Sequence, residues 1–256
     1  MIRRDKNGGW ILITQHDHAL LSGQIMAHWG NDQFVVPKPH DEVLFAISMH
    51  DSGWKHWDAK PRINSENGYP ANFTEMSPYD QSVIWSNSYR PYSKKHSYAA
   101  ALIALHFSKF NRSNLKKDPD NKQLELLQID MKDVISAELG FNISNSNSDK
   151  IPDDIRVNLK MLQIGDIISL TLCHGWRSIE ITETPIDYSG NSTTLNMESE
   201  DGFNYKISPY PYDKSKLEFN IVGKNLHEKS FTSDQELRDA IEASEDQTLA
   251  FTIIRG

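Results

Sequence analysis

The periodicity of the chain changes once, near residue 175, and that change constrains the fold more than any other feature of its 256 residues. Before it, apolar residues recur at helical spacing. After it come short β-branched and aromatic runs of strand length, separated by turn signals such as Ser189-Gly190 and Asp201-Gly202. The runs are Ser178 to Thr182, Thr193 to Met197, Phe203 to Ile207, Leu217 to Ile221 and Leu249 to Ile254. One helix, Ser233 to Ala243, interrupts them, opened by a capping box of Ser233 and Glu236. The expectation is a mainly α fold: a helical domain over residues 1–175, then a small antiparallel β region with one helix over 176–256.

Within the first part, Ile11 to Thr14 reads as a short strand. A helix follows from Gln15 to Trp29, with Thr14 and Asp17 as a capping-box variant and Gly30 suited to the position after the helix end. His18, Leu21, Ser22, Ile25 and Trp29 fall on one face of it. After a loop with two prolines (Val36 to His40), Val43, Leu44, Ala46, Ile47, His50, Asp51 and Trp54 form a wide apolar stripe. It ends in a His-Asp pair, and Gly53 loosens the helix there. Residues 55–76 read as a long irregular loop broken by Pro61, Asn64, Gly68, Pro70 and Asn72, yet carrying Trp57, Tyr69 and Phe73. A loop of this length is uncommon unless it binds something or is disordered, and its aromatics argue against disorder. Further helices are expected from Ser77-Pro78 to about Tyr89, from Ser93 to Phe110, from Leu124 to Leu139, and from Pro152 to His174 with Gly175 at its end. Asn142 to Lys150 is an Asn/Ser-rich loop or linker.

Composition excludes several function classes. A net charge of −8 does not attract nucleic acid or anionic membrane, and the nearest basic clusters, Lys94-Lys95 and Arg112 to Lys117, read as solvated helix ends or loops. Cys173 is the one cysteine, so no internal disulfide forms. It lies in an apolar run with no activating partner and reads as a small buried residue. Met1 to Trp10 has no apolar core of the signal-peptide kind, and no apolar run approaches the ~20 residues of a membrane helix. A soluble cytoplasmic protein is expected, with no nucleic-acid or membrane partner and an oligomeric state that the residues leave open.

Eight of the ten histidines lie in the first 110 residues. His18 and His50 occupy the apolar faces of their helices, where an imidazole beside a carboxylate needs compensation that a divalent metal supplies. On a continuous helix His50 and Asp51 would diverge by about 100°. They share an ion only where the helix breaks, as Gly53 allows. His16, His28, His40 and His56 read as surface or structural residues, although His56 and Asp58 stand close enough to support a ligand.

This pattern resembles the HD-domain superfamily, which uses a first-helix His, a His-Asp pair ending an apolar helix, and a later Asp on a long helix. The matching residues are His18 in Asp17-His18-Ala19-Leu20-Leu21-Ser22, the pair His50-Asp51 after Leu44 to Met49, and Asp166 in the apolar stretch Leu162 to Leu170. The chain is still more similar to an uncharacterised bacterial branch catalogued as domain-of-unknown-function family 3891. The shared motifs run through Ile13 to Ala19, His50 to Trp54, Trp57-Asp58-Ala59-Lys60-Pro61, and Asp166 to Cys173 (Asp-x-x-Ser-Leu-x-Leu-Cys). The resemblance implies an HD-domain-like helical bundle and a metal set of His18, His50, Asp51 and Asp166.

Some members of that superfamily hold a second metal through two further histidines. His96 and His106 are the candidates here. Ten residues apart, they stand roughly 80° apart on a helical wheel, which disfavours convergence on one ion and leaves His96 preferred for a second metal or a substrate phosphate. Trp54, Trp57 and Asp58, with Tyr69 and Phe73, are expected to wall a pocket over the metal. The resemblance implies a metal-dependent hydrolase of a phosphate ester or nucleotide. Asp51 would orient the attacking water, and Arg62 or Lys95 would offset phosphate charge. The donor set suits Mn, Fe, Ni, Co or Zn. Two alternatives are a di-iron oxygenase, which needs His96 and His106 to converge, and a non-catalytic binding scaffold with a relic metal site.

Overall fold

The computed structural model describes residues 1–143 and 151–256, so most of the polar stretch Asn142 to Lys150 lies outside the described residues. The chain opens with a β-hairpin, β1 (Ile2–Lys6) and β2 (Gly9–Ile13), in which Ile2 pairs with Ile13 and Lys6 with Gly9. Helices follow: α1 (Gln15–Met26), α2 (His40–Met49), the single-turn α3 (Lys55–Asp58), α4 (Pro78–Tyr89), α5 (Ser97–Lys117), α6 (Lys122–Leu139) and α7 (Asp153–His174). Then come β3 (Ser178–Pro185), β4 (Ser192–Ser199), β5 (Asn204–Ser208), β6 (Lys216–Leu226), α8 (Asp234–Ala243) and β7 (Asp246–Arg255).

Among the described residues the strands form one curled seven-stranded sheet, ordered β1-β2-β6-β7-β5-β4-β3. It is mixed, because β5 pairs with β7 in parallel while the other neighbours are antiparallel. This overturns the mainly α expectation, and with it any all-α description and the wholly antiparallel extension. Helix accounts for 47% and strand for 23% of the described residues, and the fold is α+β. The physical reason lies in the first residues. Ile2 to Lys6 is too charged to read as a strand, but it follows the period-2 burial of one: Ile2 and Arg4 point inward, while Asp5 points to solvent. Arg4 is buried because its guanidinium donates to Leu172 O (2.6 Å) and Gly202 O (2.9 Å). It adds a second donor to a carbonyl in the last turn of α7, which also accepts from Gly175 N–H at 3.2 Å.

The sheet draws strands from before residue 15 and after residue 177; α1, α2 and α4 to α7 share one large core, and α8 packs through Leu237 on a second, smaller cluster with Leu12 and Leu226. Only Thr14 separates β2 from α1. Its side chain caps the helix by accepting from the Asp17 N–H, so the position of α1 is set by the sheet. α1 ends at Met26, earlier than Gly30, because Trp29 turns aside to bridge Tyr212 and Gly30 N–H donates to Pro211 O. Residues 55–76 are less irregular than expected: α3 and a 3-10 turn at Phe73–Glu75 sit at its ends, and Arg3 ties it down through Pro70 O and Glu75. α5 begins at Ser97, which makes His96 its N-cap rather than a residue of its first turn. No helix among the described residues is long and apolar enough to cross a membrane.

Candidate metal centre

α1, the end of α2, and α7 bring His18, His50, Asp51 and Asp166 to one point. His18, His50 and Asp51 each offer a donor atom, all within 4.8 Å of one another. Asp51 Oδ2 lies 3.4 Å from His18 Nε2 and 3.7 Å from His50 Nε2. Asp166 Oδ1 lies 3.5 Å and 3.6 Å from the same two nitrogens. Each carboxylate therefore faces both imidazoles. The two shorter separations fall within, and the two longer just beyond, the roughly 3.0–3.5 Å between neighbouring ligands of an ion bonded at ~2.1 Å. The residues fit a divalent cation.

Two backbone features make the convergence possible. His50 keeps helical angles (φ −55°, ψ −33°), whereas Asp51 leaves the helix (φ −106°, ψ 19°) and starts a 3-10 turn over Ser52–Trp54. The break turns Asp51 back toward His50, against the divergence of a continuous helix. Gly53 permits it: a Cβ there would stand 2.0 Å from Ile84 O and 2.7 Å from Ser88 Oγ, so α4 packs directly on this backbone. Beside Asp166, a Cβ on Gly165 would stand 2.7 Å from the side chains of Met26 and Ser22, so α7 crosses α1 closely enough to deliver its carboxylate.

Hydrogen bonds fix which nitrogen of each imidazole faces the site. His50 Nδ1 lies 2.7 Å from Ile47 O, and a carbonyl only accepts, so Nδ1 carries the proton. His18 Nδ1 lies 2.7 Å from Ser169 Oγ, whose own hydroxyl donates to Asp166 O at 3.0 Å. The His18 proton is therefore also on Nδ1. In the neutral imidazoles both Nε2 lone pairs point at the carboxylates. Both Nε2 atoms are buried and have no hydrogen-bond partner among the described residues. Ligand histidines in proteins have this arrangement.

The charge field is strong. Burial alone would lower the His50 pKa, but Asp51 first and then Asp166 outweigh it and raise it to about 9. Burial would raise the Asp166 carboxyl, but the facing imidazoles of His50, His18 and His106 hold it well below the usual carboxylate range. Absent a metal, these carboxylates draw a proton onto His50 where a cation would otherwise sit. His106 on α5 joins from the far side of Asp166, its Nε2 3.8 Å from Oδ2. Burial dominates there and lowers its pKa to about 4.

His96 does not reach the site. It stacks on Phe45 (centroids 3.9 Å apart) and pairs with Glu42 at 2.9 Å. The metal residues open into a cavity of about 280 Å³. From the predicted aromatic loop only Trp54 and Phe73 line it. Trp57 lies under Arg62 in a cation–π contact at 4.7 Å, beside a separate cleft, and Tyr69 packs on Trp10. Asp58 is buried elsewhere, accepting from Gln15 N–H at 2.7 Å and paired with the Met1 amino group. Arg62 and Lys95 are not lining residues. Cys173 is buried, and burial pushes its thiol above the ordinary range, as befits an inert side chain.

Several site residues escaped the sequence reading. Trp85, Phe107, Phe110 and Leu170 complete the apolar wall, and Gln15 adds a buried carboxamide. Ser169 had a visible signal, since it is the Ser of the Asp-x-x-Ser motif and stands one turn from Asp166 on α7. Gln15 had one as well, since it falls within the motif Ile13 to Ala19 at the start of α1.

Residues 1–228 match the family described as protein of unknown function (DUF3891), and the chain belongs to that family. No curated protein and no solved structure matches the chain.

Proposed function

We propose that this protein is a metal-dependent hydrolase of phosphate esters, with a centre of the kind found in the HD-domain superfamily. The observation that carries the reading is the pair of buried Nε2 lone pairs, on His18 and His50, that face two carboxylates and have no hydrogen-bond partner among the described residues. Burying such groups unpaired costs several kcal/mol, and a cation removes that cost. Two imidazoles and two carboxylates suit Mn, Fe, Co, Ni or Zn. When bound, such an ion lowers the pKa of water toward neutrality and polarises a phosphoryl oxygen.

The chain's own residues do the rest. His18 and His50 would hold the ion from buried, hydrogen-bonded positions, and Asp166 would hold it from α7. Asp51 would hold it too and orient the attacking water. Water forms the new P–O bond, the ester P–O bond breaks, and the leaving alcohol takes a proton, so the products are an alcohol and the phosphate with one fewer ester link. The aromatic walls keep bulk water away from the reacting atoms.

Metal analysis of protein purified without chelator is the test, joined to a screen of phosphomonoesters and diesters with added Mn. About one ion per chain, lost in His50→Ala together with activity, supports the reading. No bound metal and no turnover would sink it. Two irons per chain would favour an oxygenase, a reading that now has only His106 as its additional imidazole.

A further inference from the structure

The cavity beside the metal residues has an unusual balance of chemistry. None of its lining residues is Lys or Arg. Lys109, whose charge reaches His106, is exposed and does not line it. A divalent ion with two carboxylates and two neutral imidazoles is neutral as a unit. Such a site has nothing to offset the two to four negative charges of a phosphomonoester or a nucleoside triphosphate, which proteins meet with Arg, Lys or backbone N–H clusters. Charge therefore selects a neutral or singly charged ester.

The walls select what that ester carries. Trp85 and Phe107 stack with centroids 5.5 Å apart and 16° between planes, and Phe110 extends the shelf 6.2 Å beyond Trp85. Phe110 is 46% exposed, an aromatic ring left open to solvent, and it packs 5.3 Å from His106, the imidazole beside Asp166. The shelf thus runs from the metal residues to the surface. The cavity, about 280 Å³ and open to solvent at Phe110, has room for an aromatic ring with its ester group.

Besides the unpartnered nitrogens of His18, His50 and His106, a carboxamide is set among these walls with nothing to hold. Gln15 is 1% exposed, and neither Nε2 nor Oε1 of its side chain has a hydrogen-bond partner among the described residues. Leaving such groups unsatisfied costs about 1–3 kcal/mol each. Its backbone N–H is fixed on Asp58 Oδ2 at 2.7 Å, so the side chain is anchored where it lines the cavity.

We propose that the site takes a singly charged phosphodiester with an aromatic or similarly apolar arm, which lies on the Trp85–Phe107–Phe110 shelf while Gln15 Nε2 donates to a non-bridging phosphoryl oxygen. This rests on the hydrolase reading for the reaction but not for the binding. Hydrolysis consumes one water, breaks the P–O bond to the arm or its partner, and yields an alcohol and a phosphomonoester.

The test uses the Mn-loaded full chain with bis(4-nitrophenyl) phosphate, 4-nitrophenyl phosphate and ATP. Expected are a kcat/KM for the diester ~100-fold above that for ATP, a KM raised about tenfold in Phe110→Ala with kcat kept, and kcat/KM lowered ~10- to 100-fold in Gln15→Met. The Met substitution keeps the volume, and bound Mn measured in each variant shows that the centre is intact. Preference for ATP or the monoester, or unchanged kinetics in both variants, overturns the proposal while leaving the hydrolase reading standing. If no ester turns over, that reading fails. The proposal is then decided by binding, read as quenching of tryptophan fluorescence by diphenyl phosphate against ATP: tighter binding of the diester, weakened in Gln15→Met, supports it, and equal or weaker binding overturns it.

Discussion

Ser169→Ala tests the metal centre without touching a proposed ligand. The Ser169 hydroxyl accepts from His18 Nδ1–H at 2.7 Å and donates to Asp166 O at 3.0 Å, so it fixes the tautomer of one ligand from the helix that carries another. Removing such a partner costs roughly 10- to 100-fold in metal affinity, which is about 1.4–2.7 kcal/mol. The buried His18 N–H also loses its acceptor, a cost of about 1–3 kcal/mol to the fold. In a chain of this length that lowers the melting temperature by roughly 2–4 °C per kcal/mol. Both quantities are measurable on one sample: affinity by competition against a fluorescent chelator, stability by thermal melting of the metal-free protein. Ser169→Thr retains the hydroxyl and restores most of the affinity. A dissociation constant for Ser169→Ala within twofold of the parent would refute the reasoning, because the tautomer would not depend on this residue.

Three further outcomes follow from the same geometry. Gly53→Ala forces a methyl group to within 2.0 Å of Ile84 O, so it destabilises the fold by about 3 kcal/mol or more and lowers metal content, as read by melting and by metal analysis. In chelator-treated protein His50 has a raised folded pKa, about 9 against 6.5. Its stabilisation is full below pH 6.5 and is lost as pH rises through 9, so the melting temperature falls across that window and His50→Gln flattens the fall. Arg4→Met keeps the buried stem but removes the hydrogen bonds to Leu172 O and Gly202 O, which lowers stability by about 2–3 kcal/mol in denaturant titration.

The convergence of His18, His50, Asp51 and Asp166 was more legible in the sequence than the architecture. His18 and Asp166 stand out because an ionisable residue on an apolar helical face breaks the pattern that burial demands. His50-Asp51 was readable only with Gly53, because a dipeptide shares a target only where the helix breaks. The sheet was half visible. Its later strands follow β-branched alternation, while β1 hides behind charges: Arg4 points inward, and a buried arginine satisfied by two carbonyls looks like any surface arginine in one dimension. The choice between His96 and His106 depended on which side of α5 meets α7, a matter of tertiary packing that wheel geometry does not contain. The cavity walls were hidden for the same reason. Nothing in one dimension marks Trp85 or Phe107 as a cavity wall, because a wall and a core residue have the same apolar character and differ only in what packs against them.

The join between β2 and α1 also fixes an order of events in time. β2 meets β6 through Trp10 and Leu226, residues at opposite ends of the chain. During synthesis the strand that steadies the helix of His18 follows that residue by some two hundred others. Pairing over such a separation closes late. On that order the candidate centre would come together after the sheet has zipped, and a cation captured there would seal a fold that already exists.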